Sequence, residues 1–524
     1  MFYNSLSNTE FNNCVSMGAC STSPNIASMQ EVMAILLRQI AYYLVKLHSC
    51  GIIEREIALE VVKEVANADA VRDLSEAQIL NSFSNQYNNL VRVRKEYLNL
   101  CKEQNKTCID LRHLIKLSPK TSLSEILKMG DKEFLHKYKR QSGSQKYLSE
   151  ILNSVMKSVC VNIITLEDFN RDAFEAINLV LDGLNLFNKS KITNIKTMIE
   201  KLSAMDINLL SQINQAQKEN FGTVTKVQVP HTTTPNKAIL VSGSNLLDLK
   251  HLLDAVEGTG IDVYTNGNLL VSHSFPSFQK YSCLKGHFGN GVYNSILDFA
   301  TFPGAILLTK NEAQNIEYLY RGRLFTTDEI VPKGVIKIEN NDFSPLIDSA
   351  LQARGFAKGQ KREPEIVGYN TEELENILDK IIKSQFERLY IIGLSNMSAT
   401  QKAYFKQFYK QLSKNDFVIS FSEITTKQEN VFSFNLGSAY ALLYDVLHKV
   451  FEKIPVNSEK LIFFLTKCDI NSLSNIINLK NNGAKNIFLS DCPPTVINPA
   501  VLRAFAKAFE IKSITNPKDD IANL

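Results

Sequence analysis

The chain has 524 residues, 44% of them hydrophobic and 21% charged, which is enough to bury several cores and excludes the disordered and fibrous classes. Its 58 Lys and Arg nearly balance 54 Asp and Glu, and a net charge of +4 spread over that length gives no electrostatic case for nucleic acid or an anionic membrane as main partner. No apolar run reaches the length of a membrane span, and the first residues lack a basic stretch followed by a hydrophobic one, so the expected location is the cytoplasm.

Residues 1–27 are rich in Asn, Ser and Cys and read as a loop. Apolar residues at three- and four-residue steps then predict helices over 28–50, 54–68, 75–101, 122–129, 144–161, 168–184 and 194–220. This is an all-helical first domain over 1–222, packed as bundles of antiparallel helices. Ser122-Leu123-Ser124-Glu125 and Thr165-Leu166-Glu167-Asp168 both have the spacing of a capping box, which marks a helix start.

Residues 222–234 are extended and polar, a linker. Three apolar runs follow, each entering a turn. Ala238-Ile239-Leu240-Val241 leads to Ser242-Gly243-Ser244-Asn245, Ile261-Asp262-Val263-Tyr264-Thr265 leads to Asn266-Gly267, and Ala305-Ile306-Leu307-Leu308 leads to Thr309. Helix-patterned segments alternate with them, so a parallel sheet over 235–355 is expected, with its turns at the carboxyl edge where open α/β folds bind ligands. Residues 356–364, with Lys358, Lys361 and Arg362, read as a basic surface linker. The same alternation returns over 365–524, with strands expected at 389–393, 416–421, 461–466 and 486–489 and helices at 400–412, 439–451 and 471–482. The fold class is therefore α/β multidomain: an N-terminal helical bundle domain followed by two α/β domains with mainly parallel sheets.

The 9 cysteines are odd in number and scattered, unlike a secreted disulfide framework, so most are expected to be reduced packing residues. Cys101 and Cys108 lie near Lys102, Lys106 and His113; a helix end and a polar loop explain them more simply than a metal. Cys14 and Cys20 are spaced too widely for the usual zinc pair, and no second pair accompanies them.

Several blocks in order carry a resemblance. Gly260-Ile261-Asp262-Val263-Tyr264-Thr265, His273 and Pro276, Phe302-Pro303-Gly304-Ala305-Ile306-Leu307-Leu308-Thr309-Lys310-Asn311, Arg323-Leu324-Phe325-Thr326-Thr327 and Asp342-Phe343-Ser344-Pro345 together resemble the hybrid cluster proteins, also called prismane proteins or hydroxylamine reductases. The likeness runs from Met1-Phe2 and the Cys14-x5-Cys20 pair to Asn498-Pro499-Ala500-Val501. It implies the hybrid cluster protein fold and, in the family, two cofactors: a cubane iron–sulfur cluster in the N-terminal loop and a hybrid iron–sulfur–oxygen cluster held by histidine, glutamates and cysteines.

Transferred motif by motif, the cubane positions fall on Tyr3, Leu6, Cys14 and Cys20, and two thiolates do not complete a four-iron cube. The hybrid-cluster histidine becomes Ser244, its glutamates Asn268 and Asp469, its cysteines Glu312, Ser395, Ile424 and Ala439, and the neighbouring lysine Asn471. None keeps the family's residue type. The scaffold residues Gly243, Gly267, Pro276, Gly304, Gly437, Gly483 and Pro499 all stand where the pattern needs them.

The reading is a pseudoenzyme without cofactors that folds without iron and has a structural, assembly or regulatory role, with a protein partner or self-assembly expected. Two alternatives stay open: a hydroxylamine or related nitrogen-oxide reductase, and a protein binding a small polar ligand or ion in the former cluster cavity, with Glu312 and Asp469 as oxygen donors. Cys468 and Cys492 stand off the family positions. Glu312 is expected to point into the old cluster volume, hydrogen-bonded by Ser244, Asn268 or backbone amides.

Overall fold

A computed structural model of the chain describes residues 24–68, 76–117, 121–140, 143–188, 194–289, 295–310, 322–332, 334–393, 397, 399–422, 426, 428–466, 470–490, 499–522 and 524. It divides into two compact units. One comprises Met1–Leu209, Cys468–Asn481 and Cys492–Glu510; the other comprises Leu210–Lys467, Asn482–Asp491 and Ile511–Leu524.

The helices of the first half are α1 (Pro24–Ser49), α2 (Arg55–Asn67), α3 (Glu76–Glu103), α4 (Leu123–Arg140), α5 (Gly143–Asp168), α6 (Phe174–Asn185) and α7 (Ile195–Phe221). In α1, Met29, Val32, Met33, Leu36, Ile40, Tyr43, Leu44 and Leu47 are buried at helical steps, and that stripe packs on α3, α4 and α6. The Ser122 capping box forms as expected: Ser122 N donates to Glu125 Oε2 at 2.8 Å, and Glu125 N donates back to Ser122 Oγ at 3.4 Å. The Thr165 box does not. Residues 165–168 are the last turn of α5, where Thr165 Oγ1 donates to Val161 O at 2.9 Å, so a start signal in the sequence sits at a helix end.

Cys101 and Cys108, read from the sequence as a helix end and a polar loop, are joined by a disulfide that this reading did not include. The extended segment after α3 is fixed to α1 at several points. Gln39 Nε2 donates to His113 O and Gln39 Oε1 accepts from Ile115 N, both at 3.0 Å, while Tyr42 Oη donates to Ile109 O at 2.7 Å. Asp110 accepts from Tyr43 Oη and from Arg94.

The second unit holds the sheets. Residues 222–234 are more than a linker: β1 (Val227–Val229) pairs antiparallel with β8 (Glu365–Val367), and Thr233 N donates to Gln360 O at 3.0 Å. Two connections that read as separate in sequence thus run side by side, with Lys358, Lys361 and Arg362 exposed. The first sheet has the order β4-β3-β2-β5-β6-β7, built from β2 (Ala238–Ser242), β3 (Asp262–Asn266), β4 (Leu284–His287), β5 (Ala305–Leu308), β6 (Leu324–Thr326) and β7 (Ile336–Lys337). Every pairing in it is parallel. The helices α8 (Leu246–Val256), α9 (Ser295–Thr301) and α10 (Ser344–Gln352) connect and follow its strands, and Tyr264, Phe288, Phe299 and Phe302 fill one face. Glycine is required at Gly304, where a β-carbon would stand 1.9 Å from Ala238 O.

The second sheet, order β11-β10-β9-β12-β13-β14, is also parallel throughout. After α11 (Thr371–Lys383) come β9 (Arg388–Ile392), α12 (Ala399–Tyr409), β10 (Asp416–Ser420), β11 (Val431–Ser433), α13 (Tyr440–Lys453), β12 (Leu461–Leu465), α14 (Ile470–Asn481), β13 (Asn486–Leu489), α15 (Pro499–Phe509), β14 (Lys512–Ser513) and α16 (Pro517–Ala522). Four of its strands, β9, β10, β12 and β13, lie within a residue of their expected places because each is a largely β-branched and aromatic run, the signature of a strand covered on both faces, whereas the short β11 and β14 were not expected. The helices α14 and α15 fall within the first unit, where both pack on α5. The fold class is as expected: a helical N-terminal region and α/β domains with parallel sheets.

Candidate functional site

In the first sheet the strand order reverses between β2 and β5, and the loops leaving their carboxyl ends flank the crevice in which such folds bind ligands. Ser244 stands there, exposed, after Gly243. Its N–H and that of Asn245 donate to Thr309 Oγ1 at 3.2 and 3.4 Å, while Thr309 N donates to Ser242 O at 3.0 Å. Asn245 Oδ1 caps α8 by accepting from Asp248 N at 3.0 Å, and Asp248 Oδ2 accepts from Lys310 N at 2.9 Å and Thr327 Oγ1 at 2.7 Å. Short side chains therefore tie the β2 and β5 loops to each other. Asn268 lies in the turn after β3, with its Oδ1 buried and lacking a hydrogen-bond partner among the described residues.

Beside it is a buried imidazole pair. Thr265 Oγ1 lies 2.9 Å from His273 Nε2 and 2.9 Å from His287 Nδ1, with Gly286 O at 3.5 Å, so the hydroxyl bridges the two rings. Burial pushes the His273 imidazole down to about 4 and holds His287 well below the usual range, leaving both neutral. The His231 ring packs edge-on against His287, and its Nε2 lies 3.2 Å from Glu365 Oε2.

On the second sheet's side, Ala439 is the residue before α13 and contributes only a methyl group. Asn471, in the first turn of α14, belongs to a buried polar cluster of the first unit. Ser158 Oγ lies 2.9 Å from Asn471 Oδ1 and donates to Asp206 Oδ2 at 2.7 Å, and Asn162 Nδ2 donates to Asp206 Oδ1 at 2.8 Å. Desolvation raises the Asp206 carboxyl to about 6 against these bonds.

Ser244 and Asn268 thus both stand at the carboxyl edge of the first sheet, while Ala439 precedes α13 and Asn471 lies in the first turn of α14. Glu312, Ser395, Ile424, Asp469, Tyr3, Leu6, Cys14 and Cys20 lie outside the described residues, as do Cys468 and Cys492. Among the described residues no three His, Cys, Asp or Glu side chains converge as a metal-holding group. Sequence reasoning missed His231, His287 and Asp206. Asp206 had left a signal: it falls in the apolar register Leu202, Asp206, Leu209, Ile213 of α7, where a carboxylate is out of place.

A family profile described as Prismane/CO dehydrogenase family matches residues 9–421. The chain belongs to that family. It is 24% identical to a hydroxylamine reductase of Thermodesulfovibrio yellowstonii over 98% of both chains, and 22% identical to one of Thermosipho melanesiensis over 97% of both. It is 29% identical to one of Syntrophobacter fumaroxidans over 62% of this chain and 63% of that one. Among solved structures, the alpha subunit of an acetyl-CoA synthase/carbon monoxide dehydrogenase with NiZn[Fe4S4] and NiNi[Fe4S4] clusters aligns with a TM-score of 0.48 at 12% identity, covering 96% of this chain and 82% of that one. A Ni-free carbon monoxide dehydrogenase from Thermococcus sp. AM4 aligns at 0.45 and 11% identity, covering 94% and 85%.

The expectation that the chain has no cofactor is overturned by this membership, because the family is one of cluster-bearing proteins. The four described positions that the resemblance assigns to a hybrid cluster carry an exposed hydroxyl, two amides and a methyl group, which offer no thiolate, imidazole or carboxylate to such a group. Among the described residues no helix is long and apolar enough to cross a membrane.

Proposed function

We propose that this chain is a non-catalytic member of its family with respect to hydroxylamine, a pseudoenzyme with a structural, assembly or regulatory role exercised on a protein partner in the cytoplasm. The observation that carries this reading is the donor chemistry at Ser244, Asn268, Ala439 and Asn471. Soft thiolates and an imidazole are needed to hold a mixed iron–sulfur–oxygen centre open to substrate, and these four residues supply none. Scaffold glycines such as Gly243 and Gly267 stay in left-handed turns at the same sheet edge, so the geometry is kept where the chemistry is not. A second reading, hydroxylamine reductase, is favoured by relatives of that name aligned over nearly the full chain; it requires ligands arranged differently from the family pattern.

The test is anaerobic loading with iron and sulfide, followed by assay with hydroxylamine and a chemical electron donor. We expect reduction no faster than the blank. Turnover that scales with bound iron overturns the proposal and establishes the second reading.

A further inference from the structure

The first unit carries a cleft of about 900 Å³ between one face of α3 and the extended segment 111–117. Its floor is apolar, with Leu90 and Leu117 buried and Leu98, Leu111, Leu114 and Ile115 half-buried. Its rim is cationic: Lys95, Lys102, Arg112 and Lys116 are exposed, and Arg94 lies deeper, already paired with Asp110. Among the described residues no carboxylate lines the cleft, although the chain as a whole carries nearly as many acids as bases. Val91, on the lip, is 49% exposed.

The wall facing α3 has no regular secondary structure and is nevertheless held in place. Gln39 clamps it through two bonds, Tyr42 and Tyr43 reach it from α1, Arg94 and Asp110 tie it to α3, and the Cys101–Cys108 disulfide closes its start. A rigid extended wall beside a helix, with a leucine floor and a one-signed rim, is the form of a groove for an amphipathic helix. The face from Tyr87 to Lys102 is roughly 22 Å long at 1.5 Å per residue, so it spans about four turns of a docked helix.

The geometry points to this cleft as the docking groove for an acidic amphipathic helix of a partner protein, with leucine-type anchors on the floor and Glu or Asp facing the Lys95, Lys102, Arg112 and Lys116 rim. Charge complementarity selects this occupant. A nucleic acid has no use for a floor of six leucine and isoleucine side chains, and a second copy of this chain would have to present a comparably acidic apolar segment. The inference rests on the protein-partner reading above and is independent of the hydroxylamine assay.

The experiment uses the full chain and a fluorescein-labelled peptide of about 15 residues, with leucines at three- and four-residue steps and glutamate elsewhere, followed by anisotropy. Saturable binding that weakens with salt is expected, together with a loss of about tenfold or more in the triple variant K95E/K102E/R112E at an unchanged melting temperature. Should the triple variant fold poorly, the single variants K95E and R112E carry the comparison. Control peptides with lysine for glutamate, or with serine for leucine, should bind far more weakly. Absence of binding overturns the proposal. So does binding indifferent to charge reversal, equal binding of the leucine-free peptide, or a preference for phosphatidylserine vesicles or duplex DNA over the peptide. Concentration-dependent dimerisation abolished by the same charge reversals would assign the groove to a second copy and equally overturn it.

Discussion

Ser158 and Asp206 meet through a 2.7 Å hydrogen bond, and neither side chain has any exposure to solvent. The bond joins α5 to α7 in the interior of the first unit, with Asn162 on the carboxylate's other oxygen and Asn471 of α14 on the serine. A carboxyl group held there by neutral donors titrates where an exposed one would not.

Asp206 should make stability depend on pH in mildly acid solution. Its folded value is about 6 against an ordinary 3.8, so between these the folded chain holds a proton that the unfolded chain has released. Unfolding free energy therefore falls as pH rises through that window: the contribution is complete below about 4 and lost above about 6, on the order of 3 kcal/mol. Urea melts from pH 4 to 7 of the native chain and of Asp206→Asn measure it. The variant's curve should be flatter over that interval, and parallel curves would show that Asp206 titrates normally.

Gly304→Ala should destabilise by more than an ordinary surface change. The added methyl would lie 1.9 Å from Ala238 O at the start of the neighbouring strand, so β2 and β5 must separate or the turn before β5 must shift. A loss of roughly 2–4 kcal/mol, or insoluble protein, is expected from a clash with backbone that cannot rotate away. A melting temperature within a degree or two of the parent would show that the turn is looser than described.

Asp445 in α13 gathers three donors: Asn214 Nδ2 at 3.0 Å, Lys218 Nζ at 2.9 Å and the Tyr369 hydroxyl. Asp445→Ala leaves a half-buried ammonium and a buried phenol without their acceptor, and should cost about 2–4 kcal/mol in denaturant. Tyr369→Phe removes one donor and leaves the carboxylate with two, so a smaller loss of about 1 kcal/mol is expected. Equal effects from the two variants would mean that packing of the ring, and not the shared carboxylate, sets the energy.

Reduction of Cys101–Cys108 should loosen the wall of the α3 cleft before it affects anything else. Closing so short a loop is worth about 2.5 kcal/mol on the chain-entropy account. Under reducing conditions the pair would spend time open. Limited proteolysis of oxidised and reduced protein tests this, with faster cutting within 104–117 expected after reduction. Identical digests would show that Gln39, Tyr42, Tyr43 and Arg94 hold the segment unaided.

The elements were legible in the sequence where one signal dominated. Strands such as Leu461–Leu465 are uninterrupted apolar runs, and α1 repeats its buried residues at helical steps, so period alone placed them. The Thr165 box failed because capping-box spacing also occurs by chance inside helices, where tertiary packing decides. The β1–β8 pairing and the Cys101–Cys108 bond were illegible for a common reason: each depends on which strand or thiol comes near in space, and neither partner carries a mark of the other. At the candidate site, the positions of Ser244 and Asn268 at the first sheet's carboxyl edge followed from turn placement. The Thr265, His273 and His287 trio did not, since its members come from three separate segments.

The first unit takes α14 and α15 from the far end of the chain, and α5 is the helix that both of them cover. During synthesis α5 therefore waits, one flank uncovered, while some three hundred further residues leave the ribosome at about 5–20 residues per second. A wholly aliphatic flank left bare for that long would invite aggregation. The Ser158 hydroxyl and the Asn162 amide make the waiting surface wettable: both meet Asp206 once α7 is made, and Ser158 gains Asn471 only when α14 arrives.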